Sequence, residues 1–441
     1  MAKHAFGVSS VPIADAQEAR DRWVALFVLT LVYAVNVADR FLMSIFIEPI
    51  KAEFHLSDSG VGFLTGVVLA VFFVAAGIPL GVLADQSSRR NLVAVCTGIF
   101  TTMTALCGVA KSFLMLATAR IGVGIGEAGC TPGSLSMLAD KFRPTRRAMA
   151  MTIFTIGASI GGWIGSSIGG PLSDYYGWRT TMIIFGVAGA PLILLMRLAV
   201  SEPKRGILDV KRATASSEPV ATVSIGDTLR FIASQRALLH IMIGGTIVTL
   251  WGWGLIWWTP AFLNRSHGMS VGEAGSALGT VHGVCGTGAM LLTAALMARL
   301  GVRDVRQQVW FLALATAICV LPSMIAYATA SKTMAVVMLW LFVPAVYLYI
   351  GPSFALINNL VPPQMRAQAI AIYLFTTNFA NLAIAPQLIG FGSDAIAPLI
   401  GQPHESLRYT LIALATTGFW GASHFIVAAR YIRGDLARVA R

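Results

Sequence analysis

Apolar runs long enough to cross a bilayer recur along this chain, separated by short polar stretches, and that rhythm sets the fold class. Twelve of them fall near residues 23–48, 60–83, 91–110, 113–139, 148–172, 178–199, 238–263, 272–298, 308–329, 334–360, 368–392 and 408–430. In hydrocarbon a backbone satisfies its own polar groups within one segment only as a helix. The pattern predicts an all-α membrane protein with twelve transmembrane helices. An even number of crossings puts both ends of the chain on one side. Composition agrees, because only 12% of residues are charged and the mean hydropathy is +0.73. A soluble domain carries about 25% charged residues on its surface.

A polar stretch over 201–236 divides the segments six and six. It predicts a tail at 1–22, a bundle at 23–200, a linker at 201–236 with a short surface helix near Ile225–Gln235, a bundle at 237–430 and a tail at 431–441. The halves repeat. Pro144 and Arg147 in Pro-Thr-Arg-Arg-Ala-Met-Ala correspond to Pro363 and Arg366 in Pro-Gln-Met-Arg-Ala-Gln-Ala, a shift of 219 residues. A parallel repeat of six helices is the architecture of secondary transporters of the major facilitator type, with substrate at the repeat interface near mid-membrane. The expectation is two pseudo-symmetric six-helix bundles.

The net charge of +12 invites a nucleic-acid reading, but the basic residues sit in short loops rather than one patch. With the N-terminus inside, 24 Lys and Arg are on the inner side and six on the outer: Lys51, Lys111, Arg179, Arg265, Lys332 and Arg408. This asymmetry orients both termini to the cytoplasm. The polar N-terminus lacks a signal-peptide pattern. The five cysteines lie in apolar runs without metal-site spacing, so neither a metal nor a cofactor is expected. No nucleophile–base cluster or phosphate-binding loop marks an enzyme or an ATP-driven pump.

The other two basic residues, Arg40 and Arg120, lie inside apolar segments together with Asp39 and Glu127. Each such charge costs roughly 2.5–3.5 kcal/mol on insertion scales and persists mostly where it faces a water-filled path. Arg120 and Glu127 are two helical turns apart, roughly 10 Å, on one face of segment 4. Segment 1 rises outward and segment 4 runs inward, so all four groups fall at depths where they can meet. A carboxylate there is pulled toward its neutral form by desolvation and toward its anion by the arginines. One reading is a substrate-binding or proton-coupling centre; the other is an ion-pair network that fixes helix packing. Gly124, Gly126 and Gly129 satisfy a dinucleotide fingerprint by spacing, but no strand precedes them and no βαβ unit surrounds them.

The loop after segment 2 reads Gly81-Val-Leu-Ala-Asp85-Gln-Ser-Ser-Arg89-Arg90. It resembles the signature loop of the major facilitator superfamily, with Gln86 for the usual Arg and Ser88 for the usual Gly. The resemblance implies a cytoplasmic gate of Gly81, Asp85, Arg89, Arg90 and Arg147, in which Asp85 accepts hydrogen bonds from loop arginines or the N-terminus of helix 11. Ala298 stands where the second half would carry the acid, so such a latch is one-sided. Ala38-Asp39-Arg40-Phe41, Arg120 through Ala128 and Asp140 further resemble the Spinster branch, over about residues 30–150. That resemblance implies a lipid-related transporter with Asp39, Arg40, Arg120 and Glu127 at its centre, and helices 1, 4, 7 and 10 around the cavity. Organic-anion branches share the Asp-Arg pair.

The second half offers aromatics and neutral polar groups instead of mid-helix charges. Asn36 on segment 1, Thr249 and Trp251 on segment 7, and Tyr347 and Ser353 on segment 10 are candidate cavity residues, as is Trp253. Trp257 and Trp258 read as an interfacial aromatic belt. His282 reads equally as a packing residue or a proton carrier. Gly157, Gly161, Gly165 and Gly169 on segment 5, and Gly275, Gly279 and Gly283 on segment 8, form smooth stripes expected to slide against each other where the halves meet. These features together lead to an alternating-access, proton-coupled carrier of a small amphipathic, lipid-like substrate of the sphingolipid or lysophospholipid type. The alternative is a small organic-anion carrier or multidrug exporter. The expected setting is a monomer among the lipids of a bacterial inner membrane, with no nucleic-acid partner.

Overall fold

The computed structural model describes residues 13–203, 223–297, 299–300 and 304–439. Among the described residues, twelve helices are long and apolar enough to cross a membrane. They are α1 (Arg20–Ile45), α2 (Asp58–Ala84), α3 (Arg89–Gly108), α4 (Phe113–Lys141), α5 (Met149–Ser167), α6 (178–199), α7 (Arg236–His267), α8 (Val271–Met297), α9 (Arg306–Ala328), α10 (Lys332–Leu360), α11 (Arg366–Leu399) and α12 (Pro403–Arg438). "Outer" below denotes the face opposite both chain ends.

The polar punctuation of the sequence becomes helix caps. The hydroxyls of Ser88, Ser112 and Ser331 accept from the amides of Asn91, Met115 and Met334, starting α3, α4 and α10. Ser270 and Glu273 close a full capping box at the start of α8. Helical structure continues beyond a break at Ile168 until Gly177, whose φ of 78° reverses the chain into α6. A side chain rarely tolerates that backbone, and glycine does so without penalty.

Two six-helix halves result, α1–α6 and α7–α12. α1 lies against α5, α3 against α4, and α7 and α9 against α12. The second-half core is aromatic, with Trp251, Trp258, Phe262, Tyr327 and Phe342 fully buried. A short outer helix, Ile47–Phe54, follows α1. Of the expected linker, residues 204–222 lie outside the described residues, as do Ala298 and both chain ends (1–12 and 440–441). The linker helix spans Ile225–Ser234 and is tied to α11, where Gln368 accepts from Thr228 at 2.5 Å and donates to the Val223 carbonyl at 2.8 Å.

The glycine stripes do not face each other as expected. A Cβ on Gly157, Gly161 or Gly165 would lie 2.3–2.9 Å from the carbonyls of Thr30, Ala34 and Ala38, and one on Gly169 would strike Leu42. The α5 stripe therefore packs on α1, inside one half. The two helices repeat in step, every fourth residue, so their backbones come close along the whole line. The α8 stripe does form the seam between halves: Gly275 meets the Ser166 carbonyl and Gly170, Gly279 meets Ser167, and Gly283 meets Trp163.

Candidate functional site

The four intramembrane charges meet, and they do so as two ion pairs. Arg120 Nη1 donates to Asp39 Oδ2 at 2.7 Å, and Arg40 Nε donates to Glu127 Oε2 at 2.7 Å. Neighbouring residues on α1 thus pair with residues two turns apart on α4, as the depth argument requires. Thr104 of α3 supports the first pair, its hydroxyl lying 2.5 Å from Asp39 Oδ1. The guanidinium of Arg40 also lies over the Phe73 ring of α2, 5.1 Å from its centre.

The two pairs differ in access. Arg120 and Asp39 are sealed, with 0% and 3% of their side chains exposed. The expectation that all four charges line a wet path fails for this pair. It has the character of the packing network that was the other reading, and it locks α1, α3 and α4 together. Arg40 keeps 20% of its side chain exposed while its partner Glu127 is fully covered. Glu127 Oε1, Arg120 Nε and Nη2, and both polar atoms of Asn36 are buried without a hydrogen-bond partner among the described residues. Buried polar atoms are rarely left so, and a cluster of them marks a place built to make further polar contacts.

Opposite this centre the second half presents rings. Trp253 of α7 stacks on His282 of α8, centres 6.2 Å apart, and meets Tyr347 of α10 and Phe41 of α1 edge to face. Trp251, named with Trp253 as a cavity candidate, is instead enclosed among Phe342, Val320 and Gly418. Thr249 is buried and bonded to Tyr349 at 2.6 Å. Tyr347 is bonded to His282, and Ser353 is fully buried. Asn36, Thr249, Tyr347 and Ser353 therefore present no open surface in this conformation. Trp257 and Trp258 form no belt either. Trp258 is in the core, and Trp257 bridges the halves, donating to Thr65 at 3.3 Å while its carbonyl accepts from Ser44.

Hydrogen bonds between the halves cluster at the outer face. Arg265 at the end of α7 grips both oxygens of Asp58 at 2.7 Å and also Glu48. Lys51 and Ser393 complete the Asp58 carboxylate, and Asp394 accepts the amides of Asp58 and Ser59. Glycines let backbones touch there: a Cβ on Gly62 would lie 2.6 Å from the Pro386 carbonyl, and one on Gly390 would lie 2.4 Å from that of Asp58. Toward the inner face, Gly77 and Gly81 of α2 and Gly351 of α10 look into open space. The outer side is closed and the halves separate inward. Thr104 and this outer clasp were not singled out from the sequence. Arg265 carried a signal, as one of few cations on the side that the positive-inside rule depletes.

At the inner face Arg89 binds Asp140, Glu202 at 2.9 Å, the Ser136 hydroxyl and the Pro203 carbonyl. The Arg90 amide donates to Glu202 at 2.7 Å. Burial works to raise the Glu202 pKa, but the bonds from the Arg90 amide, Arg89 and Ser88 outweigh it and hold the carboxyl below its ordinary range. These arginines brace the first half rather than bridge to the second. Arg147 Nε caps the Phe142 carbonyl at 3.1 Å. The side chain of Asp85, and so its expected role in the latch, lies outside the described residues.

The model of the Major Facilitator Superfamily matches residues 29–386. An "MFS-type efflux pump" of Mycolicibacterium smegmatis is 31% identical over 97% of both chains. Protein spinster homolog 1 of Mus musculus is 25% identical over 93% of this chain and 81% of that one. Among solved structures, a bacterial homologue of the human lysosomal transporter Spinster, inward-facing and unoccupied, superposes with a TM-score of 0.82. It is 26% identical and covers 94% of this chain and 98% of that one. A D-xylose–proton symporter, at 16% identity and a TM-score of 0.69, shares the fold. With twelve membrane-length helices in two repeated halves and a family match along most of its length, this chain belongs to the Major Facilitator Superfamily of membrane transporters and is Spinster-like in structure.

Proposed function

We propose that this protein is a proton-linked carrier of an amphipathic anion or zwitterion, working as a monomer by alternating access with both termini in the cytoplasm of a bacterium. The observation that carries the reading is the asymmetry of the Arg40–Glu127 pair. The cation is partly exposed and its carboxylate is sealed behind it. A substrate phosphate or carboxylate competes for the Arg40 guanidinium, whose planar fork matches such oxyanions. Glu127 then loses its cation in a place of low dielectric, where an isolated carboxylate is costly and the neutral acid is favoured. Head-group binding and proton uptake thereby become one event. The rings of Trp253, Phe41 and Tyr347, the last two buried in this conformation, supply apolar surface for the remainder of the molecule once the halves part. Asp39 and Arg120 hold α1 and α4 in the register that makes the exchange local, and the inner arginine cluster keeps the first half rigid as it rocks.

The efflux-pump relative favours a second reading, export rather than lysolipid carriage, by a multidrug exporter of the same fold. Proteoliposomes under an imposed pH gradient separate the two. Saturable, gradient-driven flux of lysophosphatidylglycerol, unaffected by small hexuronates and by cationic dyes, supports the first. Flux of dyes or of small acids alone, with no competition by the lysolipid, overturns it.

A further inference from the structure

His282 is placed where both halves touch it. It begins a π-turn, His282–Gly286, that interrupts α8, and such turns recur at functional positions. The imidazole is fully buried. From the first half, the Phe41 ring meets it edge-on at 4.7 Å, and a Cβ on Gly162 would lie 3.5 Å from the His282 Cβ. From the second half, Trp253 stacks on it, and Tyr347 Oη lies 2.8 Å from Nδ1. Nε2 is buried and has no hydrogen-bond partner among the described residues. With Tyr347 donating to Nδ1, the neutral ring carries its proton on Nε2 and offers it as a donor.

We infer that His282 is the second half's polar contact with the substrate, donating from Nε2 to a head-group phosphate or carboxylate oxygen, and that it is presented only when the outer side opens. The assignment rests on the amphipathic reading above. Rocking of one half against the other carries Phe41 and Gly162 away from the imidazole while Trp253 and Tyr347 stay beside it. Trp253 then offers its face to the methylenes next to the head. When the outer side closes, Phe41 returns over the imidazole, while Arg40 keeps 20% of its side chain exposed. The head group is thus handed from His282 to Arg40 as the carrier turns, and Tyr347 acts as a positioning residue through the ring it orients.

The test compares lysophosphatidylglycerol flux into right-side-out and inside-out vesicles for the parent, His282→Phe and Tyr347→Phe. His282→Phe keeps a ring against Phe41 and Trp253 and removes Nε2. The expected result is an outer-side KM raised about tenfold, the effect of losing one hydrogen bond to a charged group. The inner-side KM should stay within about twofold of the parent. Tyr347→Phe should give a smaller rise on the outer side alone. Equal rises on both sides, or none on the outer side, overturn the assignment. If His282→Phe does not fold, Tyr347→Phe and His282→Gln are judged by the same criterion, with the Gln amide expected to recover most of the outer-side affinity. A parent without saturable lysolipid flux overturns the amphipathic reading together with this one; normal parental flux with unshifted variants overturns this one alone.

Discussion

The two halves share a fold and differ in the chemistry at their centres. α1 and α4 hold their buried polar groups as ion pairs, Asp39–Arg120 and Arg40–Glu127. Their repeat counterparts α7 and α10, with α8 and α9, hold theirs as neutral pairs: Thr249–Tyr349 at 2.6 Å, Thr259–Tyr327 at 2.9 Å and His282–Tyr347 at 2.8 Å. A neutral buried pair that separates loses about one hydrogen bond. An ion pair that separates leaves a charge, which must find another partner or a proton. On the proposed mechanism, the first half is therefore the one whose rearrangement is coupled to substrate and proton. On the same proposal, the second half slides and presents apolar surface.

The sharpest way to break this contrast is to remove one partner on each side. Arg120→Ala strands Asp39 in a sealed site and should cost about 3–5 kcal/mol of stability. Thr259→Val, at the matching kind of position in the second half, should cost about 1 kcal/mol. Thermal unfolding in detergent measures both, and equal losses would mean that the ionic and neutral centres do the same job.

The glycine contacts give the next largest effect. A Cβ at Gly161 would lie 2.3 Å from the Ala34 carbonyl within the first half, and one at Gly279 would lie 2.2 Å from Ser167 Oγ across the seam. Gly161→Ala should destabilise the protein by about 1–3 kcal/mol. Gly279→Ala should leave stability nearly intact and shift the population toward the outward-open state, read as faster thiol labelling of a Ser44→Cys probe beneath the outer clasp. The opposite assignment of effects would place the moving boundary between α1 and α5.

Trp253→Ala sharpens the second-half role. It should raise KM about tenfold for a long-chain lysolipid and hardly at all for a four-carbon analogue, since each buried methylene contributes about 0.8 kcal/mol. A uniform change across chain lengths would make Trp253 a packing residue only.

The smallest effect belongs to the inner loop cluster, where Arg89 is buried but its partner Glu202 keeps 29% of its side chain exposed, in contrast with the sealed pairs. The Glu202 carboxyl is held below its ordinary pKa of 4.5. A group depressed on folding stabilises above its unfolded value, and that contribution is lost as pH falls through the lower, folded one. Glu202→Gln should therefore be less stable than the parent near neutral pH, by about 1 kcal/mol or less, and the gap should close in strong acid. A gap that persists there would assign the contribution to something other than charge.

Much of this was legible before any coordinates. Segment count, the six-and-six division, the depths of Asp39, Arg40, Arg120 and Glu127, and their convergence all follow from period, charge and helical rise. The sequence does not reveal which side of a helix a residue turns toward the bilayer, the seam or the core. That is why the sequence does not separate Trp251 from Trp253, though they point apart, or tell that the α5 stripe packs on α1 rather than α8. Four-residue spacing shows that a backbone comes close, not whose it is. Thr104 escaped notice because a threonine in an apolar helix usually bonds its own preceding turn, and this one does so as well, to the Phe100 carbonyl at 2.9 Å. The sealing of Asp39 and Arg120 depends on how three helices close over them, which no local pattern encodes.

The central claim is that the substrate takes Arg40 while a proton takes Glu127, so that the two bind together at the parted Arg40–Glu127 pair. The direct measurement is the number of protons taken up by the purified protein when lysophosphatidylglycerol binds in weakly buffered detergent solution, read with a pH indicator. Uptake by the parent, with binding but no uptake by Glu127→Gln, is the predicted result. Undiminished uptake by Glu127→Gln would contradict the account.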